Sequence, residues 1–137
     1  MTGFETRDVP EVAVNRPEVV AEVLEVFDAY ERALVAGDVP LLTALFWDDP
    51  RTVRYGVADR QQGAAELAAW RAAHPSVPPG RRLSGTAVLA LDDRTAVVNT
   101  LFGYPGLPIE GRQTQVWVRF AEGWRIVSAH VSEVSTG

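Results

Sequence analysis

The sequence predicts one α+β domain in which N-terminal helices pack against an antiparallel sheet and enclose a pocket. Apolar residues recur at helical spacing in the first half of the chain, and four segments of strand character follow one another between positions 83 and 134. Helices followed by consecutive strands are typical of α+β folds and not of parallel βαβ folds. The length of 137 residues fits one domain, which we place at residues 15–134, with residues 1–14 as an N-terminal extension.

Two helices are predicted before residue 50. The first begins after Asn15 or, alternatively, after Thr6, and it ends at Gly37, a residue type that is common at helix C-caps. Asp38 caps the second helix, and the segment DDP at 48–50 terminates it.

A short strand and a third helix come next. The strand is expected at residues 52–55 and the helix at residues 63–74, where His74 is interpreted as a capping histidine because a cation is favourable at a helix C-terminus. Tight turns and one wider loop then separate the longer strands. These strands are expected at residues 83–91, 95–104, 111–120 and 124–134.

Composition excludes several classes of function. The formal net charge of −5 argues against a nucleic-acid partner, which requires a basic footprint. The absence of cysteine and the presence of only two histidines argue against disulfides, thiolate nucleophiles, a metal site and a metal cofactor. No segment has the pattern of a membrane span or of a signal peptide, so we expect a cytoplasmic protein without a membrane partner.

Two long segments, together with the order of the elements, resemble the nuclear transport factor 2-like fold. The segments are YERALVAGDVPLLTALFWDDPRTVRYG at 30–56 and RQTQVWVRFAEGWRIVSAHVSEV at 112–134. They are similar to the helical hairpin and the last strand hairpin of ketosteroid isomerase and SnoaL-like proteins. The resemblance implies a cone in which a curved antiparallel sheet and three N-terminal helices enclose one deep pocket.

Shorter blocks narrow the resemblance to one family. NRPEV, ALFWDDPRTVRYG, GRQTQVWVRF and GWRIVSAHVS are together similar to the AtzH-like family, which includes the oxalurate-catabolism protein HpxZ. The similarity covers residues 15–134. It implies a role in the breakdown of small ureido acids, such as those of purine or s-triazine catabolism, and hydrolysis of a carboxylated urea.

Comparison with the ketosteroid isomerases shows which of their catalytic side chains this sequence shares and which it lacks. Tyr30 matches their oxyanion-hole tyrosine, and Gln113 falls at the position of their second oxyanion donor. Arg54 and Tyr55 stand where the isomerases have the aspartate that serves as general base. Since proton transfer between carbons needs a base of suitable pKa, isomerase activity becomes a third and weaker hypothesis.

Arginine and glutamine side chains instead indicate a pocket for an anion, because guanidinium and amide groups bind planar carboxylates and ureido groups. Strand alternation places Gln113, Gln115 and Trp117 on one face, and it prevents Arg54 and Tyr55 from both pointing inward along a regular strand. We assign substrate binding to Tyr55, Arg71, Gln113, Gln115 and Trp117.

Catalytic roles are assigned to Tyr30, Arg54 and His130. No Ser–His–acid order or metal set supplies a nucleophile, so hydrolysis would depend on electrostatic stabilisation of an oxyanion, with Tyr30 or His130 transferring the proton. Structural alternatives stay open. Arg54 is alternatively an ion-pair partner of Asp48 or Asp49, and His130 a buried structural histidine.

Two of the residues assigned to substrate binding also have a purely structural interpretation. Arg71 is alternatively a solvated helical residue, and Trp117 a wall of the pocket or part of a dimer core.

The resulting hypothesis is a protein that binds, and hydrolyses or decarboxylates, a small planar ureido acid or carboxylated urea. Its partners are a small anionic molecule and a second copy of the chain, because the Val- and Trp-rich segment QVWVRF indicates a sheet face that is buried in a homodimer. The alternative is a dimeric binding or accessory module without catalysis, since fold alone does not determine activity.

Overall fold

Three helices and six strands make up residues 14–137, the part of the chain that the computed structural model describes. The helices are α1 (Pro17–Ala36), α2 (Val39–Ala44) and α3 (Ala64–Ala73). The strands are β1 (Val53–Tyr55), β2 (Arg60–Gln62), β3 (Arg82–Ala90), β4 (Thr95–Gly103), β5 (Ile109–Phe120) and β6 (Gly123–Ser135). No helix in this range combines the length and the apolar character needed to cross a membrane.

The predicted α+β class is confirmed. The six strands form one curved, open sheet in the order β2-β1-β6-β5-β4-β3. All neighbouring strands are antiparallel except β1 and β6, which pair in parallel with Val53 opposite Ser128. The register shifts within β3 and again between Val116 and Trp117 of β5. Such bulges bend a strand and increase its twist, so they contribute to the curvature of the sheet.

Strand β2 is absent from the sequence prediction. Its three residues, Arg60, Gln61 and Gln62, are all polar and show no alternation of apolar and polar side chains. The strand nevertheless pairs with β1, with Gln61 opposite Arg54. This pairing brings the two side chains together at the edge of the sheet.

The start of α1 differs from the prediction that Asn15 caps it. Asn15 has a φ of 56°, and its side-chain oxygen accepts a hydrogen bond from the backbone N–H of Ala90. Its own N–H donates to the Ala90 carbonyl, so Asn15 ties the chain to β3, and Arg16 occupies the N-cap position without a side-chain cap. The alternative start after Thr6, and the predicted N-terminal extension up to residue 13, lie outside the described residues.

The predicted end of α1 and start of α2 agree with the structure, whereas α2 ends at Ala44, before the predicted stop at 48–50, because Phe46 forms a β-bridge with Ile126. Gly37 ends α1 in the left-handed conformation, with a φ of 69°, and its N–H contacts the carbonyls of Ala33 and Leu34. Asp38 caps α2 by accepting a hydrogen bond from the N–H of Leu41. The two helices therefore meet at a sharp corner.

The hydrophobic core lies between the helices and the inner face of the sheet. Val23 and Phe27 of α1, which are one helical turn apart, belong to the same buried cluster as Leu67 of α3 and as Trp117 and Ile126 of the sheet. Full burial of one large apolar side chain contributes about 1.5–3 kcal/mol. The core fixes α1 and α3 over the sheet and so determines where their polar side chains lie.

Gly111 provides a test of the packing on the inner sheet face. A Cβ atom at this position would lie 2.2 Å from ring carbons of Phe102. Overpacking a filled interior costs about 1–3 kcal/mol, so Gly111→Ala is expected to lower the free energy of unfolding by that amount in urea titrations. The matched control is Gly103→Ala, where the nearest atom to the added Cβ is the Ile109 carbonyl oxygen at 3.9 Å. Equal losses in both variants would contradict the packing account.

Candidate functional site

A cavity of about 400 Å³ lies between α1, α3, the sheet, the loop that precedes β3 and the loop that follows β4. Four of the predicted site residues line it: Tyr30 from α1, Arg54 from β1, Arg71 from α3 and Gln113 from β5. All four side chains belong to buried residues. The volume is that of a site for a small molecule.

Arg54 is neutralised by a carboxylate that the sequence analysis does not identify. Its Nη1 donates to Asp59 Oδ1 at 2.7 Å and to Gln61 Oε1 at 3.0 Å, and Gln61 Nε2 donates to the same aspartate oxygen at 2.8 Å. The guanidinium carbon lies 4.2 Å from the centre of the Trp70 ring, a cation–π contact. The partners suggested by sequence, Asp48 and Asp49, make no such contact with Arg54, and Asp49 binds Arg51.

The charge state of Asp59 follows from these contacts. Burial alone raises the pKa of Asp59, but the hydrogen bond from Gln61 and the charge and hydrogen bond of Arg54 outweigh this effect, so the pKa is lowered. Gly56 makes the arrangement possible, because a Cβ there would lie 2.4 Å from Asp59 Oδ1 and 2.7 Å from Arg54 Nη1. The cavity thus contains a carboxylate, but one that is ionised and already paired.

Arg71 lies on α3 in a different environment. It is 4% exposed, its Nε has no hydrogen-bond partner among the described residues, and its Nη1 donates only a long 3.4 Å bond to the His74 carbonyl. Burial has the largest effect on the pKa of Arg71 and lowers it. The positive charge of Arg54 lowers this pKa further, whereas the interaction with Tyr30 raises it, and the net effect is a lowered pKa. An arginine nevertheless stays protonated in proteins. Arg71 is therefore a buried cation that makes no direct ion pair with residues 14–137, although the charge of Asp59, which is bonded to Arg54, also acts on it.

A second buried network contains Arg81, which sequence reasoning misses. Arg81 Nε and Nη2 donate to the two carboxylate oxygens of Glu31 at 2.8 and 3.3 Å. Its Nη1 donates to the Tyr104 hydroxyl at 3.0 Å, and its Nη2 also donates to Gln113 Oε1 at 3.1 Å. Burial lowers the pKa of Arg81, but the hydrogen bonds and the charge of Glu31 outweigh it and raise the pKa.

His74 also lines the cavity. Its Nδ1 lies 2.9 Å from the Trp70 carbonyl oxygen, and its ring stacks on the Trp70 ring with centres 4.7 Å apart. Because a carbonyl only accepts, Nδ1 must carry the hydrogen, and the imidazole caps the last turn of α3 as predicted.

Tyr55 and His130 do not reach the cavity. Tyr55 follows Arg54 in β1, so its side chain points to the opposite face, where it is 49% exposed. His130 is opposite Tyr55 in the β1–β6 register, and the two rings meet edge to face at 5.9 Å. The structure therefore places both residues on the outer sheet face, away from Tyr30 and Arg71. This position does not suit the catalytic role expected for His130 or the binding role expected for Tyr55.

Gln115 and Trp117 lie on the inner face, as strand alternation predicts, but in the core and not in the cavity wall. Trp117 is fully buried, and its Nε1 donates to Gln115 Oε1 at 3.1 Å. This bond satisfies the indole N–H of Trp117, and neither residue lines the cavity. The inner face of β5 reaches the cavity at Gln113.

Tyr104 and Arg81, which the sequence prediction leaves out, differ in whether a sequence pattern indicates them. Tyr104 continues the buried alternation of Val98, Thr100 and Phe102 along β4, which is a readable signal. Arg81 has no such signal, because its neighbour Arg82 is exposed and only the tertiary structure distinguishes the two. Within the described range, no three His, Asp or Glu side chains are arranged to bind a metal ion.

Comparison with known proteins gives one family and several related structures. A model of the AtzH-like family matches residues 12–137. The search of curated proteins finds no significant match.

The solved structures extend the comparison. A cystatin-like fold protein from Burkholderia xenovorans LB400 is 43% identical with a TM-score of 0.89, covering 93% of this chain and 100% of that chain. A DUF3225 family protein of unknown function from Pectobacterium atrosepticum SCRI1043 is 44% identical with a TM-score of 0.86, covering 89% and 95%. An NTF2-like protein of unknown function from Pseudomonas putida KT2440 is 17% identical with a TM-score of 0.73, covering 85% and 87%, which confirms the predicted fold.

The Arg54–Asp59 pair predicts a pH-dependent contribution to stability. Since the pKa of Asp59 is lowered in the folded protein, the contribution is complete above the unfolded value of about 3.9 and is lost as pH falls through the lower folded value. At pH 7, Asp59→Asn is expected to lower the free energy of unfolding by about 1–3 kcal/mol, and the difference from wild type should disappear in acid. Asp28→Asn, on the exposed side of α1, is the control and should leave stability unchanged. A pH-independent difference for Asp59→Asn would contradict the ion-pair account.

Proposed function

The chain belongs to the AtzH-like family, and from that premise we propose that its cavity binds a small planar ureido acid or carboxylated urea as an anion. The observation that carries this proposal is Arg71, a buried guanidinium that lines the cavity without a carboxylate partner among residues 14–137. A buried charge is costly unless it is paired. The carboxylate of a ligand would supply the missing partner.

The other charges in the cavity support this assignment. Arg54 is offset by Asp59 and Arg81 by Glu31, so Arg71 is the cation that is left over. Glu133 also lines the cavity, but it is exposed, and its charge is screened by solvent and salt. An anion close to Arg71 is therefore favoured by the local charge balance.

Planarity of the ligand is supported by the neighbouring groups. The Trp70 ring contacts the Arg54 and Arg71 guanidinium groups at 4.2 and 4.8 Å, and the Tyr30 ring is buried in the same wall. Flat aromatic and guanidinium surfaces pack well against flat ureido and carboxylate groups. These groups come from α1, β1 and α3, which the core keeps in fixed positions.

We also propose that the bound ureido group is hydrolysed. In this reaction a water oxygen adds to the carbonyl carbon, the C–N bond breaks, and the proton released by the water passes to the leaving nitrogen; a carbamate product then loses CO₂ and takes up a proton. Arg54 and the Tyr30 hydroxyl, which line the same cavity, would stabilise the negative oxygen in the transition state, while Arg71 holds the carboxylate of the ligand. With His130 on the outer face, Tyr30 is the predicted proton-transfer residue that lines the cavity.

The rival hypothesis is a dimeric binding module without catalysis. The outer sheet face has exposed apolar side chains at Leu89, Leu101 and Val134, beside Tyr55, and would accept a second copy. Trp117, which also suggested a dimer core, points to the inner face and does not contribute. Turnover separates the two hypotheses, because both require binding and only one requires product.

Arg71→Met tests the binding proposal. Losing a charge-assisted bond of about 1.5–3 kcal/mol should weaken binding of oxalurate, allophanate and malonate by about 10- to 100-fold, measured by calorimetry or by the ligand-induced rise in melting temperature. Without ligand the variant should be as stable as wild type or more stable, because an unpaired buried charge is replaced by an apolar chain.

Arg112→Gln is the matched control, since Arg112 is exposed and lies on the outer face, where it pairs with Glu110. It should bind the acids like wild type. Equal binding by the Arg71→Met and wild-type proteins would overturn the anion site.

Arg54→Ala and Tyr30→Phe test the hydrolysis proposal. Each is expected to reduce turnover of carboxylated ureas by at least about 100-fold, because each removes a group that orients or stabilises the reacting oxygen, in line with the effect of losing one oxyanion donor. Release of ammonia or CO₂ is the readout, and calorimetric binding of malonate verifies that the cavity is intact. Unchanged turnover in Arg54→Ala would contradict the proposed mechanism, and the absence of product with wild type would contradict hydrolysis.

A further inference from the structure

One end of the cavity is formed by four side chains that bond one another. Glu31 accepts from Arg81 at 2.8 and 3.3 Å and from Gln113 Nε2 at 3.1 Å. Arg81 also donates to Tyr104 at 3.0 Å and to Gln113 Oε1 at 3.1 Å. The side chain of Arg81 is 3% exposed and that of Glu31 11%, so the network is largely shielded from water.

The charges of this network fix the direction of its remaining hydrogen bonds. A carboxylate only accepts and a guanidinium only donates, so the Gln113 amide must turn its oxygen to Arg81 and its nitrogen to Glu31. One of the two amide hydrogens is then used and the second is left over. The Tyr104 oxygen accepts from Arg81, so the hydroxyl hydrogen is directed elsewhere.

Both leftover hydrogens belong to residues that line the cavity. Gln113 and Tyr104 are 5% and 8% exposed, and no described residue accepts from the Tyr104 hydroxyl or from the second amide hydrogen. A buried donor without an acceptor costs about 1–3 kcal/mol, so these groups are suited to a ligand that brings an acceptor.

We propose that Tyr104 and Gln113 form a second ligand subsite that binds a neutral carbonyl oxygen of an amide or ureido group. Both unused hydrogens belong to donors, so the subsite favours an oxygen acceptor over an N–H donor. Its one cation, Arg81, is already offset by Glu31, so nothing in the subsite favours a second negative charge. This inference rests on the proposed function, because the carboxylate of the same ligand is assigned to Arg71.

Two ligands of equal length and similar size test the subsite. Succinamate and 4-methylpentanoate share a carboxylate on a two-carbon chain and differ only in their other end, which is an amide in the first and an isopropyl group in the second. In calorimetric titrations wild type should bind succinamate about three- to tenfold more tightly, the value of one or two net hydrogen bonds. Tyr104→Phe should remove most of this preference and leave the affinity for 4-methylpentanoate unchanged.

A second variant tests the charge balance. Glu31→Gln leaves Arg81 without its counter-charge, so the preference should move from succinamate toward succinate, whose second end is a carboxylate. A wild-type protein that binds succinate more tightly than succinamate would overturn the assignment to a neutral carbonyl.

Failure of the subsite is distinguishable from failure of the anion site. If Arg71→Met weakens the binding of oxalurate, allophanate and malonate but wild type binds succinamate and 4-methylpentanoate equally, the subsite is wrong and the anion site stands. If wild type binds none of the acids at millimolar concentration, both assignments are overturned.

Discussion

The ion pair between Arg81 and Glu31 is the contact on which the cavity depends. Arg81 belongs to the loop that leads into β3, Glu31 belongs to α1, and both bond Gln113 of β5. A single guanidinium therefore sets the position of a helix and a loop relative to the sheet. Removing one partner of a buried pair costs about 3–5 kcal/mol because the other charge is left alone, so the loss of either residue would release the helix and the loop from the sheet.

Local periodicity explains how much of the site the sequence could predict. Helical spacing and strand alternation decide which side chains share a face: they group Gln113 with Gln115 and Trp117, and they leave open whether Arg54 or Tyr55 points inward. They do not decide how far along a strand the cavity extends or which strands are neighbours. His130 lies on the outer face because the register shift opposite Val116 and Trp117 adds one residue to β6, so that Ile126 and Ala129 face inward and His130 outward, which periodicity alone does not indicate. Arg81 and Arg82 were indistinguishable because only tertiary contacts bury the first and leave the second exposed.

Arg71 illustrates a conflict between stability and function. A buried arginine whose Nε has no partner departs from the pattern of the other buried polar groups in residues 14–137, since the Trp117 N–H bonds Gln115 and Arg54 has its own carboxylate. Departures from such rules concentrate where selection favours binding over folding free energy. The cavity therefore separates two kinds of arginine: those that are neutralised and shape the walls, and one whose charge stays available.

The parallel pairing of β1 with β6 also determines the order in which the site can assemble. Val53 pairs with Ser128, so β1 cannot join the sheet until almost the whole chain has been synthesised and the β5–β6 hairpin has formed. Segments that pair only over a long intervening loop pay a closure entropy and fold late. Arg54, Asp59 and Arg71 all lie in or beside this late segment, whereas the β3–β6 meander is built from contacts closer in sequence. A growing chain would thus acquire the meander first and its charged pocket last.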